Sequence, residues 1–252
     1  MGEWGKVKYK EYGKQNHKVI ILLHGGGLSW WNYRETAECL QKDYRIIIPI
    51  LDGHTESDRN FTTIKDNAME IISFIDTEFE GSVLLIGGLS LGGQILLEML
   101  SQRRAICRFA IIESALVIPS KLIYLLIKPT IECCYGLICQ KWFSKLQFRS
   151  LRIKTELFND YYRDTCGITK KNMIAMLQEN SMYFMKGSLE QCTAEIHLFV
   201  GEREQKNILL SARKLHKTLE KSTLHVLPCM YHGEFSINYP KLYVKELCNI
   251  IS

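Results

Sequence analysis

Predominantly apolar runs of four to seven residues recur along the chain at 19–23 (VIILL), 44–50 (YRIIIPI), 83–86, 109–112, 196–200 and 224–227. Runs this short, apolar at successive positions, read as strands buried on both faces, the pattern of a parallel sheet covered by helices. Between them the period changes. Ile64, Ala68, Ile71, Ile72, Ile75 and Phe79 recur at steps of three and four and so share one helix face. Thr63 with Asp66 is placed to cap the start of that helix. Helical segments are also expected at 95–100, around Ala212, Leu215 and Leu219, and over 240–251, the last with Pro240 in its first turn. The opening stretch, residues 7–13, is expected to add antiparallel edge strands. Alternation of strand and helix predicts an α/β fold with a doubly wound, mostly parallel sheet.

Residues 115–189 break the alternation. They hold no convincing strand, are rich in Leu, Ile, Tyr, Phe and Trp, and carry helical periodicity. This segment reads as a helical cap inserted in a core made of residues 1–114 and 190–252. Its part from Lys121 to Lys154 sets seven basic residues against Glu132 alone, interleaved with Leu122, Ile123, Leu125, Leu126, Trp142, Phe143 and Phe148. The favoured reading is a helical bundle with a solvated basic face. The alternative is an apolar acyl pocket with a basic rim, suited to an anionic amphiphile or a membrane surface.

Composition narrows the class. With 46% hydrophobic and 23% charged residues the chain is ordinary globular protein, and a net charge of +5 is too mild to argue for nucleic acid. Nine cysteines are an odd number without framework spacing, and residues 1–6 lack the apolar core of a signal peptide, so reduced thiols and a cytoplasmic location are expected. The adjacent Cys133 and Cys134 lack partners at metal-ligand spacing and read as buried apolar residues. No apolar run reaches the ~18 residues of a membrane span.

Chemistry enters at Gly88-Leu89-Ser90-Leu91-Gly92, which follows the third apolar run and opens a helix. A sharp strand-turn-helix needs glycines beside the serine, lifts its hydroxyl above the sheet edge and aims a helix N-terminus at it. This turn resembles the nucleophile elbow of the α/β-hydrolase family. His24-Gly25-Gly26-Gly27 is similar to that family's HG oxyanion loop, and Asp52-Gly53-His54-Thr55-Glu56-Ser57 to a shortened D-x-x-G-H-G-x-S stretch with Thr55 where glycine is usual. The resemblance spans nearly the whole chain and is weakest in the insertion. It implies hydrolysis through an acyl-enzyme without a cofactor. It also implies an oxyanion hole from the N–H of Leu91 and that of Gly26, with Gly27 as the neighbouring choice.

A serine hydroxyl needs a base. Of the seven histidines, His17 lies in an entry loop, His24 and His54 belong to loop-shaping motifs, His197 and His225 fall inside strands, and His216 lies on a helix. His232 alone lies between the last strand and the last helix, where the family places its base. The family's acid follows the strand after the cap; here that stretch is Gly201-Glu202-Arg203-Glu204, and Glu204 matches the position. Glu202 is close by, and Glu113, just past the fourth strand, holds an alternative position for the acid. The expected activity is cleavage of a carboxylic ester or thioester with an apolar acyl part. The rivals are carbon–carbon bond hydrolysis with the same triad, and a small-molecule receptor that retains it. Epoxide and haloalkane hydrolysis are disfavoured, because those relatives carry aspartate where Ser90 stands.

Overall fold

The computed structural model describes residues 7–252. The chain runs β1 (Tyr9–Tyr12), β2 (Val19–Leu23), a 3-10 turn Trp30–Tyr33, α1 (Arg34–Leu40), β3 (Arg45–Pro49), α2 (Ile64–Glu78), β4 (Val83–Leu89), α3 (Leu91–Gln102) and β5 (Cys107–Glu113). Four helices follow: α4 (Lys121–Ile138), α5 (Lys141–Ser150), α6 (Phe158–Gly167) and α7 (Lys170–Met182). The chain closes with β6 (Glu195–Gly201), α8 (Lys206–Thr218), β7 (Ser222–Leu227), α9 (Glu234–Asn238) and α10 (Pro240–Ile251).

The sheet has seven strands in the order β1-β3-β2-β4-β5-β6-β7. All six apolar runs are in it and pair in parallel, Ile20 with Leu85, Leu85 with Phe109, and Phe109 with Glu195. One strand, β1, completes it antiparallel to β3, Tyr9 facing Pro49. Alternate residues of each run feed two cores. Ile21, Leu23, Ile86, Ala110 and Leu198 pack under α2 and α3, whereas Ile20, Leu22, Leu85, Phe109 and Phe199 pack with Tyr243 and Leu247 of α10 on the other face. That is why these strands read as continuous apolar runs. The Thr63 hydroxyl accepts the Asp66 amide at 2.9 Å, closing the start of α2.

Between β5 and β6 the chain is helical, as its periodicity predicts, and α4 to α7 lie over the carboxyl edge of the sheet. Polar contacts tie them down. Trp31 Nε1 donates to Asp164 Oδ2 (2.8 Å), Arg34 pairs with Asp160 (2.8 Å), and the Gln94 side chain donates to the carbonyls of Leu116 and Asn180 (2.8 and 3.0 Å). Thr55, which departs from the family motif, has its own task. Its hydroxyl donates to the Asp164 carbonyl (2.7 Å) and its side chain packs on Gly167.

One expectation needs correction. Cys133 is exposed and Cys134 half-buried, not core residues. That reading equated apolar character with burial. Several apolar side chains of α4 and α5 likewise face solvent, Leu122, Leu125, Leu126 and Trp142 at 69, 68, 53 and 63% exposure. The reading of residues 1–6 lies outside the described residues.

Candidate active site

Ser90 sits between β4 and α3 with φ +53° and ψ −109°, a conformation L-residues adopt only under constraint. Its amide donates to the Glu113 carbonyl (2.8 Å) and its carbonyl accepts the Gln94 amide (3.0 Å), which hold the turn from both sides. The flanking glycines are obligatory. A Cβ at Gly88 would lie 2.4 Å from the Gly92 carbonyl oxygen, and one at Gly92 would lie 2.2 Å from that of Leu23. Leu91 is the first residue of α3, so its N–H has no acceptor within the helix.

The glycine loop after β2 lies alongside. Gly27 donates its N–H to His54 Nε2 (3.1 Å), whose Nδ1 donates to the carbonyls of Leu51 and Asp52 (3.2 and 3.1 Å). This network requires a neutral ring, and burial lowers the His54 pKa to about 4. His24 is fixed the same way, its Nε2 accepting the Leu51 amide (3.2 Å), its Nδ1 donating to the Gly25 carbonyl (3.0 Å), and burial holding its pKa well below 6.5. Both histidines therefore anchor loops. Since the Gly27 N–H is committed, Gly26 is the glycine whose amide is open to a ligand, and it packs directly against Leu91.

His232 follows β7 and lines the same cleft as Ser90. Its Nδ1 donates to Glu204 Oε2 (2.8 Å), which leaves Nε2 as the nitrogen with a free lone pair. The Glu204 side chain is wholly buried. Its other oxygen accepts the Ser114 hydroxyl and the Gly201 amide (3.3 Å). Burial lowers the His232 pKa, but the hydrogen bond and charge of Glu204, with Glu113 behind it, outweigh that, and the net shift is upward. Glu202 points away and accepts the Cys229 amide (2.9 Å). Glu113 lies at the end of β5 with 2% exposure; its Oε1 accepts the Ser236 amide (3.3 Å), and it makes no hydrogen bond to His232. Burial pushes its carboxyl up to about 7, partly offset by Ser236.

The structure thus brings Ser90, His232, Glu204, Gly26 and Leu91 to one edge of the sheet. Ser114 escaped sequence reasoning. It reaches Glu204 because it leaves β5 with φ +57°, a turn with no marker in its residue type.

The cleft over Ser90 has two lobes. One, of ≈ 360 Å³, is walled by Ile131, Ile138, Phe143, Met173, Met176 and Leu177. The other, of ≈ 820 Å³, reaches His232 and Glu204 and carries Arg152 and Arg203, which flank the Tyr231 ring at 3.9 and 5.7 Å. Both are within the range of small-molecule sites. Among the described residues no three His, Cys, Asp or Glu side chains are grouped to hold a metal ion.

The family described as alpha/beta hydrolase fold matches residues 18–126. Similar solved structures include a thermophilic esterase from Thermogutta terrifontis, determined with malate bound (17% identity, 96% of this chain and 92% of that one, TM-score 0.77). An enol-lactonase from Burkholderia xenovorans (12%, 97% and 96%, TM-score 0.82) and a bromoperoxidase from Bacillus anthracis (15%, 96% and 94%, TM-score 0.80) are also similar. At these identities the likeness is one of fold.

Proposed function

We propose that this chain, which has the α/β-hydrolase fold its motifs imply, is a serine hydrolase that cleaves a carboxylic ester or thioester with an apolar acyl part. The observation that carries the reading is the buried Glu204 carboxylate on His232 Nδ1 at 2.8 Å, in a cleft shared with the strained Ser90. Glu204 fixes the tautomer that leaves Nε2 to take the Ser90 proton, and it stabilises the imidazolium that results. Ser90 Oγ then attacks the acyl carbon. The amides of Leu91 and Gly26 donate to the developing oxyanion, the first reinforced by the α3 N-terminus. His232 returns the proton to the leaving oxygen or sulfur, and water attacks the acyl-enzyme by the same route in reverse order. The substrate is a small molecule whose acyl chain fits the apolar lobe. Glu113 is held by Ser236 and is not the imidazole's acid.

An alkyl fluorophosphonate tests the assignment. One label per chain is expected, at Ser90, and none in Ser90→Ala with the fold intact. Labelling of that variant at the wild-type rate overturns it. Triad loss should cost on the order of 10⁴ or more in kcat on simple esters.

A further inference from the structure

Half of the exposed large apolar side chains among the described residues, eight of sixteen, fall on one short stretch, α4 and α5. On α4, Leu122, Leu125, Leu126, Pro129 and Cys133 lie at steps of three and four, so they form one stripe, and all of them face solvent. The opposite stripe, with Ile127, Ile131 and Ile138, lines the cleft. The helix is therefore apolar on two faces, although only the inner one is covered. On α5, Trp142 and Leu146 are 63 and 60% exposed one turn apart. Beside them Lys141, Lys145 and Arg149 also recur every fourth residue. Lys121 and Lys128 flank the α4 stripe, and Glu132 is the only acid on either helix. An apolar strip this concentrated marks an interaction surface. A rim of Lys and Arg, whose stems cover apolar surface while their heads stay solvated, together with an exposed Trp, is the chemistry of the bilayer interface.

We propose that the outer face of α4 and α5 docks on an anionic lipid surface. The charge pattern selects this occupant. A second copy of the same face would set basic rim against basic rim, whereas anionic headgroups neutralise it, each cation adding to the attraction. No helix among the described residues is long and apolar enough to cross a membrane, so the contact is one of lying on the surface. Because α4 is also a wall of the cleft, docking sets the cleft beside the acyl layer.

Flotation of Ser90→Ala with vesicles of phosphatidylcholine, alone or mixed with phosphatidylglycerol, tests the surface independently of catalysis. Binding to the mixed vesicles is expected, weakened by salt, with a blue shift in emission that Trp142→Phe removes. Reversing Lys141, Lys145 and Arg149 together to Glu should lower partition by roughly a hundredfold or more, from about tenfold or less for each charge removed. Leu125→Asp with Leu126→Asp, residues outside the cleft, should abolish binding while the thermal unfolding midpoint stays within a few degrees. Absence of binding overturns the proposal, as does binding that these variants leave unchanged. Self-association in sedimentation equilibrium that Leu125→Asp with Leu126→Asp removes, without vesicle binding, also overturns it and makes a second copy the occupant. None of these outcomes depends on whether Ser90 is the nucleophile.

Discussion

Glu113 and Glu204 leave neighbouring strands at the same edge of the sheet, and their surroundings give them different work. Glu204 is tied by Ser114, Gly201 and His232; Glu113 is packed away with one amide donor and a carboxyl raised from 4.5 to about 7. Glu204→Gln should therefore lower kcat by about 10⁴, since the amide can hold the wrong imidazole tautomer, and Glu113→Gln should cost less than about tenfold. The opposite ranking in steady-state kinetics would move the acid to β5. The raised His232 pKa places the acid limb of kcat/KM above the ordinary histidine value, and Glu204→Gln should move any residual limb downward. Glu113 makes a separate prediction for stability. Its folded pKa is above its unfolded value, so the folded state binds the proton more tightly. Stability from this group is complete below 4.5 and is lost as pH rises to about 7, a loss of about 3 kcal/mol. Chemical denaturation of Glu113→Gln should find it more stable than wild type by up to that amount at pH 8, with the gap closing near pH 5. At this scale chain order was enough to single out Ser90 and His232, which the fold brings into one cleft. The sequence preferred Gly26 without removing Gly27 from consideration, because what separates them is His54 reaching across to the Gly27 amide.

Elements were legible where burial is complete. The interior strands read as apolar runs because helices cover both faces of the sheet, most completely at β2, which is buried at all five positions, and α2 shows in its stripe because one face is wet. The 3-10 turn Trp30–Tyr33 and α1 were not anticipated. They are short, and their buried residues Trp31, Tyr33, Ala37 and Leu40 are too few to establish a period. Nor could pattern reveal that α4 is apolar on both sides, since a period reports which residues share a face and not what covers it. The elbow is where sequence and packing agree most closely. Gly92→Ala forces a Cβ to within 2.2 Å of the Leu23 carbonyl oxygen, between the interior strand β2 and α3, where neither backbone has room to yield. Several kcal/mol should be lost. Urea unfolding should show either a much lower midpoint or no folded protein, whereas Gly136→Ala, with open space around its site in α4, should change the midpoint little.

At the scale of the whole molecule, the proposed activity makes substrate choice depend on what the helices between β5 and β6 add to the sheet edge. The edge supplies Ser90, His232, Glu204, Gly26 and Leu91. The inserted helices supply the apolar wall of Ile131, Ile138, Phe143 and Met176. The two parts are joined through buried contacts such as Trp31 with Asp164 of α6, and the wall bounds a lobe of limited volume. A limited apolar volume has a measurable signature. Each methylene of an acyl chain that enters it gains up to ~0.8 kcal/mol, about fourfold in kcat/KM, until the ≈ 360 Å³ lobe is full, after which further length brings no gain or clashes. A series of p-nitrophenyl esters from acetate upward should climb and then fall. Ile131→Trp places a larger ring in the same lobe. It should move the optimum to shorter chains while leaving hydrolysis of the acetate ester within a few-fold of wild type, because Ile131 lies on α4 and the catalytic groups lie on the sheet edge. An optimum that stays at the same chain length in Ile131→Trp would show that the acyl chain occupies the ≈ 820 Å³ lobe instead. A flat or steadily falling profile in the wild-type protein would contradict an apolar acyl substrate and point to a small polar one.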